Sequence, residues 1–158
     1  MTEQALLERI IEQRKGTYIL ILQLIAPIGI KIGRLGTFDF QAGWYAYVGS
    51  AFGAGGLRGR LKHHLSAVNR PHWHVDYLRQ NAVCKEIWYL ASEITYEHDW
   101  ASALQLLPGA TLPAPGFGAS DCRCKTHLIF FRDYPDFEGF CTLAKEPIQR
   151  RKSGATIR

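Results

Sequence analysis

The chain has 158 residues and a formal net charge of +5, with 47% hydrophobic and 21% charged residues. That size and balance suit one soluble globular domain with its own core, and no stretch is long and apolar enough for a membrane-spanning helix. The charge is uneven: Lys145 to Arg158 carries five Lys/Arg against one Glu, which leaves the body of the chain close to neutral.

Taken in order, Thr2 to Lys15 predicts an amphipathic helix, capped by Thr2, striped by Leu6, Leu7, Ile10 and Ile11, and ended by Gly16. Its acidic start lacks a signal-peptide pattern, so a cytoplasmic protein is expected. Thr17 to Ala26 is an apolar, β-branched run, the composition of a central strand buried on both faces. Between Pro27 and Gly43, Ile28, Ile30 and Ile32 alternate, Gly33 to Gly36 turn, and Phe38 and Phe40 alternate again, which predicts a hairpin.

The stretch WYAYVGSAFGAGGLRGRLKHHL, Trp44 to Leu65, reads as a strand, a glycine-rich turn and a basic helix. Tyr45 and Tyr47 share one strand face. Gly49, Gly53, Gly55 and Gly56 permit a sharp turn. From Leu57 to Val68, Leu57, Leu61, Leu65 and Val68 form a helical stripe, with Arg60 and His64 at its edge and Arg58 and Lys62 on the more solvated flank.

Asn69 to Pro71 breaks that helix, and His72 to Leu78 starts a second, short one. Residues Arg58 to Arg79 hold five Lys/Arg against one Asp, together with His63, His64, His72 and His74, enough for a phosphate-facing patch. Lys85 to Ala91 predicts a strand. Tyr96 to Leu107 predicts a helix with Trp100, Ala103, Leu104 and Leu107 on its apolar stripe and Glu97 at the stripe's edge. Pro108 to Ser120 is a loop, His127 to Phe131 a last strand, and Asp133 to Ala144 a short helix or edge strand. Lys145 to Arg158 has almost no apolar residue, which predicts a disordered basic tail after a single domain spanning residues 1–144. The expected fold class is α/β (α+β): a small central mixed or antiparallel sheet flanked by helices.

Three phrases, GSAFGAGGLRGRLKHHL, HWHVDYL and GFGASDCRCKTHL, resemble the small Uri-type proteins of the GIY-YIG nuclease superfamily. Gly16-Thr17-Tyr18 would be the first half of the family motif and Tyr47-Val48-Gly49 the second, over a resemblance running from about Lys15 to Phe131. The chain departs from the family pattern in the 29 positions between Tyr18 and Tyr47, which the inserted hairpin would have to absorb. The resemblance implies a divalent-metal-dependent endonuclease acting on DNA or another nucleic acid. In it Tyr18 is the general base, Tyr47 its orienting partner, Arg60 the transition-state cation and Glu97 the ligand of a single Mg²⁺ or Mn²⁺. His64 would contact phosphate or base. A late asparagine of the family has Asp121 in its place here.

The chemistry agrees with those residue types. Hydrolysis of a phosphodiester needs a proton acceptor, charge on the scissile phosphate, and a stabilised leaving oxygen. Arginine offers planar bidentate donors and stays charged. A phenol beside a cation has a lowered pKa. Ser50, Arg58, Lys62, His63, His72 and His74 are the expected nucleic-acid contacts. Two other readings remain open at this point. One is a non-catalytic nucleic-acid-binding module of the same fold, with a partner protein supplying specificity. The other is a small zinc protein using Cys122, Cys124 and His127, although the Cys-x-Cys spacing matches zinc sites poorly.

Overall fold

The computed structural model describes residues 14–119 and 124–152. Among them lie seven strands and four helices: β1 (Gly16–Leu24), β2 (Ile28–Ile32), β3 (Gly36–Phe40), β4 (Gly43–Ala51), α1 (Gly56–Leu65), α2 (His74–Arg79), β5 (Val83–Ala91), α3 (Glu97–Gln105), β6 (Leu128–Phe131), α4 (Phe137–Ala144) and β7 (Gln149–Lys152). No helix among the described residues is long and apolar enough to cross a membrane.

Five strands form one sheet in the order β6-β4-β1-β5-β7, and every pair is antiparallel. β1 sits at the centre, as its unbroken apolar run requires, and all but Gln23 of its nine residues are buried. The expected hairpin is present: β2 and β3 pair with each other alone, as a second, two-stranded sheet. Setting that hairpin aside lets β1 pair directly with β4, with Tyr18 opposite Gly49 and Leu20 opposite Tyr47. The 29-position separation therefore collapses to two register steps on one face.

Each sheet face carries its own core. Tyr18, Leu20 and Leu22 from β1 and Tyr45 and Tyr47 from β4 pack with Leu57, Leu61 and Leu65 of α1 and with Val75 and Leu78 of α2. Ile19, Ile21, Ala46 and Val48, one residue out of phase, pack with Trp100 and Leu104 of α3 and Phe140 of α4. Burying each leucine of the α1 stripe stabilises the fold by about 1.5–3 kcal/mol. The stripe ends at Leu65, before the expected Val68, because Ser66 has already turned to an extended conformation.

Two expectations are corrected. The basic tail is not wholly disordered: Gln149–Lys152 forms β7 and pairs with β5. Composition misled because the anchor lies elsewhere. Glu86 of β5 is 2% exposed and ion-pairs with Arg150, Tyr134 donates its hydroxyl hydrogen to the same carboxylate, and Tyr89 donates to Gln149 Oε1 at 2.8 Å. Gly16 does not end a helix but opens β1, in the sheet register opposite Ala51 and Ala91. The helix expected over Thr2 to Lys15 lies, apart from Arg14 and Lys15, outside the described residues. So do Ser120, Asp121, Cys122 and residues 153–158. Asp133 to Ala144 resolves as the helix α4, capped by the Asp136 carboxylate, which accepts from Gly139 N.

Candidate active site

A cleft of about 490 Å³ opens at one end of the sheet, and Tyr47, Ser50, Arg60, Trp73, Glu97 and His127 are among its lining residues. Arg60 comes from α1 and Glu97 from α3, whose apolar stripes pack on opposite faces of the sheet. They meet at this end of the sheet, Glu97 as the first residue of α3 and Arg60 from the middle of α1. Local sequence places each one. Gly55 (φ 90°) and Gly56 (φ 59°) take left-handed conformations that turn the chain out of β4 and into α1. α3 starts where Tyr96 N donates to Thr17 Oγ1 at 3.0 Å, so the buried motif threonine of β1 fixes the position of Glu97 next to it.

Arg60 lies half-buried, its guanidinium carbon 4.4 Å above the centre of the Trp73 ring. This cation–π contact leaves the planar donor edge for a ligand. Trp73 and its neighbours are held by Asp76, a fully buried carboxylate. Asp76 Oδ2 accepts from the backbone N of His72 (2.8 Å) and of Trp73 (2.9 Å), while Oδ1 faces His63 Nε2 at 3.3 Å and Arg79 at 3.7 Å. His74 Nδ1 accepts from Gly118 N at 2.8 Å. That bond assigns the ring proton of a neutral His74 to Nε2. Burial lowers the pKa of His74, which keeps it neutral near pH 7.

Glu97 Oε1 lies 2.9 Å from His127 Nδ1. Burial opposes its ionised form, but the contacts with His127 and with Ser50 outweigh it and hold the carboxyl below the usual carboxylate range. A carboxylate has about four acceptor positions, so those two contacts leave room for a cation. A magnesium-type ion needs one or two carboxylates and keeps several waters. An ionised glutamate in a water-accessible cleft fits that requirement, and Glu97 is the residue that would hold the ion.

The two motif tyrosines take different places. Tyr47 lines the cleft at 8% exposure. Tyr18 is fully buried behind it, its hydroxyl 2.7 Å from His64 Nε2. Gly49 is explained by that ring: a Cβ there would lie 2.4 Å from Tyr18 Oη. Burial raises the pKa of Tyr18, against the lowering effect of Arg60. Burial also raises that of Tyr47, reinforced by Tyr18 and Glu97 and opposed by Arg60. His64 is 1% exposed, and burial together with Arg79, His63 and Arg60 lowers its pKa far enough to keep it neutral.

Of the expected residues, Tyr47, Ser50, Arg60, His72, His74 and Glu97 line the cleft. Tyr18 and His64 form the wall behind it. His63 faces a smaller neighbouring recess beside Trp73. Arg58 is half-buried on α1 and Lys62 exposed there, and neither lines the cleft. Asp121 lies outside the described residues. Thr17, Trp73, Asp76 and His98 were missed by sequence reasoning. The spacing Trp73-x-x-Asp76, a carboxylate three residues after an N-cap, is the signal that could have exposed Asp76.

A family model described as "Domain of unknown function DUF123" matches residues 17–149, which includes every described element but the last residues of β7 and the first of β1. No curated protein and no solved structure matches the chain.

Proposed function

We propose that this chain, which belongs to the DUF123 family, is a divalent-metal-dependent nuclease that hydrolyses phosphodiester bonds of DNA or another nucleic acid. The observation that carries this reading is the meeting of Arg60, Tyr47 and Glu97 in one cleft, although their elements lie on opposite faces of the sheet. The GIY-YIG resemblance also asks for Tyr18 in that cleft, and Tyr18 instead lies buried behind it.

The guanidinium of Arg60 binds two phosphate oxygens and counters the charge that grows on them as the attacking oxygen approaches. Its stack on Trp73 removes much of the side chain's freedom, so little ordering remains to be done on binding. His74, neutral and protonated at Nε2, is a neutral hydrogen-bond donor at the same cleft. Glu97 would hold the divalent ion, which would supply charge neutralisation and orientation at the leaving oxygen.

Proton transfer is assigned to Tyr47, the phenol that reaches the cleft, with Tyr18 behind it as the positioning residue. This exchanges the two roles that the resemblance alone suggests. An acceptor must be within hydrogen-bond reach of the attacking water, and Tyr18 is sealed off by burial. Burial raises the pKa of Tyr47 and the Arg60 guanidinium opposes that rise and so favours the phenolate; a cation held at Glu97 would act in the same direction. The Tyr18–His64 hydrogen bond, 2.7 Å long, holds the back wall in register.

The test is cleavage of duplex, branched and single-stranded DNA and of RNA with Mg²⁺ or Mn²⁺. Arg60→Ala, Glu97→Gln and Tyr47→Phe should each lower kcat/KM by on the order of 100-fold or more. Salt-dependent binding with no cleavage under any of these metals would instead identify a binding module. Full activity in Arg60→Ala and Glu97→Gln would end the catalytic reading.

A further inference from the structure

Beside Glu97 lies a second set of donors that the proposed reaction does not use. His98, in the first turn of α3, has Nδ1 2.9 Å from Cys124 Sγ, and its ring centre is 6.0 Å from that of His127. One donor atom from each of His98, Cys124 and His127 lies within 4.8 Å of the others. We propose that His98, Cys124 and His127 bind a zinc-class transition-metal ion at the rim of the cleft, separate from the hydrated ion assigned to Glu97.

The donor chemistry is the first argument. Two imidazoles and a thiolate suit Zn²⁺ and its neighbours, and do not suit Mg²⁺, which takes oxygen. The second argument is charge. The Cys124 thiolate offsets half of a dication's charge, the neutral imidazoles add none, and the site opens on the cleft, where an anionic oxygen ligand can meet the remainder.

The third argument is orientation. Glu97 Oε1 stands 2.9 Å from Nδ1 of a His127 ring that is only 1% exposed. The carboxylate lies beside Nδ1 without the alignment of a full hydrogen bond, and its charge favours the tautomer protonated there, with Nε2 as the ligating atom. Carboxylate–histidine pairs of this kind support ligating imidazoles in metal sites generally. Glu97 thus acts on both sides of the cleft, through its own oxygen toward one ion and through His127 toward the other.

Reach is the fourth argument. Ligands of a tetrahedral zinc ion lie roughly 3.3–3.8 Å apart, given metal–ligand bonds of about 2.0–2.3 Å. The widest separation here needs to close by about 1 Å. His98 is exposed and Cys124 half-buried, so the adjustment falls on those two side chains, while His127 is held by burial. Two residues separate Cys124 from His127, a gap of the size found between paired zinc ligands, unlike the single residue of Cys122-x-Cys124.

Three protein ligands among the described residues leave a fourth position. His98 and His127 both line the cleft, so that position faces the space where substrate would sit, and water or a phosphate oxygen fills it. The ion is therefore placed to bind an oxygen ligand and not merely to staple the loop before β6.

The experiment uses the full chain stripped of metal with a chelator, without nucleic acid, titrated with Co²⁺ as the optical probe and then displaced by Zn²⁺. The expected result is saturation at about one Co²⁺ per chain, with the visible absorption of a tetrahedral ion and a near-ultraviolet thiolate charge-transfer band. Cys124→Ser should abolish the charge-transfer band. His98→Gln should weaken Co²⁺ binding on the order of 100-fold, at least what losing a supporting partner costs. Far-ultraviolet circular dichroism of each variant establishes that it is folded. His98→Gln, at an exposed position, remains informative if a buried variant fails to fold.

No tetrahedral Co²⁺ spectrum, or one unchanged by Cys124→Ser and His98→Gln, overturns the site. A fall of the charge-transfer band in Cys122→Ser would show a second thiolate and overturn the open fourth position. The outcome is separable from the nuclease reading. Mg²⁺-dependent cleavage without a cobalt spectrum defeats only this inference, and a cobalt spectrum without cleavage under any metal defeats only the nuclease.

Discussion

Gly49→Ala probes the joint between fold and site with a single methyl group. A Cβ at Gly49 would stand 2.4 Å from Tyr18 Oη, 2.5 Å from Cζ and 2.9 Å from Cε2. None of these atoms can retreat freely, because Tyr18 is fully buried and its hydroxyl is bonded to His64 at 2.7 Å. Gly49 is not in a left-handed conformation, so the whole effect comes from the collision and not from the backbone. Forcing an extra carbon into a packed core costs about 1–3 kcal/mol. Breaking the buried Tyr18–His64 bond costs roughly another 1–3 kcal/mol. Together that is about 2–6 kcal/mol, and at about 2–4 °C per kcal/mol for a chain of this size the midpoint of thermal unfolding should fall by roughly 4–24 °C. The natural control is Gly53→Ala: nothing lies within 4 Å of a Cβ there, and the expected cost is within about 0.5 kcal/mol. In a Tyr18→Leu background the three colliding atoms are gone, so Gly49→Ala should cost less than about 1 kcal/mol, a coupling that a double-mutant cycle measures. Equal melting of Gly49→Ala and the parent, or an undiminished cost beside Leu at position 18, would refute the reasoning.

The remaining predictions concern anchoring and charge. Thr17→Val keeps the shape of a fully buried side chain but removes the acceptor of the Tyr96 N–H. It should cost about 1 kcal/mol in urea unfolding and lower kcat/KM, because the start of α3 positions Glu97. Unchanged cleavage in that variant would remove Thr17 from the site. Glu86→Gln breaks the ion pair with Arg150 and weakens the acceptor of Tyr134 and Trp88, so amide protons of β7 should exchange faster while those of β1 keep their protection. Burial opposes ionisation of Glu86, but Arg150, Tyr134 and Trp88 outweigh it and depress its pKa. The stability it provides is therefore present above the unfolded value of about 4.3 and lost as pH falls through the lower folded value. His64, and to a smaller degree His74, also have folded pKa values depressed by burial. Unfolded chains take up those protons below about pH 6.5, so stability should decline from there downward, and His64→Gln should flatten the decline. A melting temperature flat between pH 7 and 5 in the parent would contradict this.

Legibility in the sequence followed periodicity. β1, the hairpin, β4, α1 and α3 could all be read, because each presents an apolar pattern of one period over enough residues. Arg60 and Glu97 could be read as edge residues of their stripes. Their meeting could not, since it depends on the register of β1 with β4 and on Thr17 receiving the start of α3. The different places of Tyr18 and Tyr47 were hidden for a related reason. Both occupy the same face of the sheet, and only the two-step offset in register puts one under α1 and the other at the cleft. β7 was misread because its sequence, QRRK, has no apolar residue at all, and its stabilising partners come from β5 and from Tyr134. His98 was invisible because its partners Cys124 and His127 lie 26 and 29 positions away, in the loop before β6.

The pairing of β7 with β5 has a consequence for handling the protein. β5, VCKEIWYLA, is a long hydrophobic strand whose outer hydrogen-bonding side is occupied only over Glu86 to Tyr89. The cover itself is strongly cationic, and a second molecule docking there would meet Arg150, Arg151 and Lys152. At the opposite margin, Thr111 bridges to Phe130 and closes β6. Cutting the chain after Ile148 would strip this guard from one side and present a sticky ribbon to every neighbouring copy. Shortened versions should precipitate or assemble into β-rich aggregates at concentrations where the whole chain stays dispersed, a difference that light scattering reads directly.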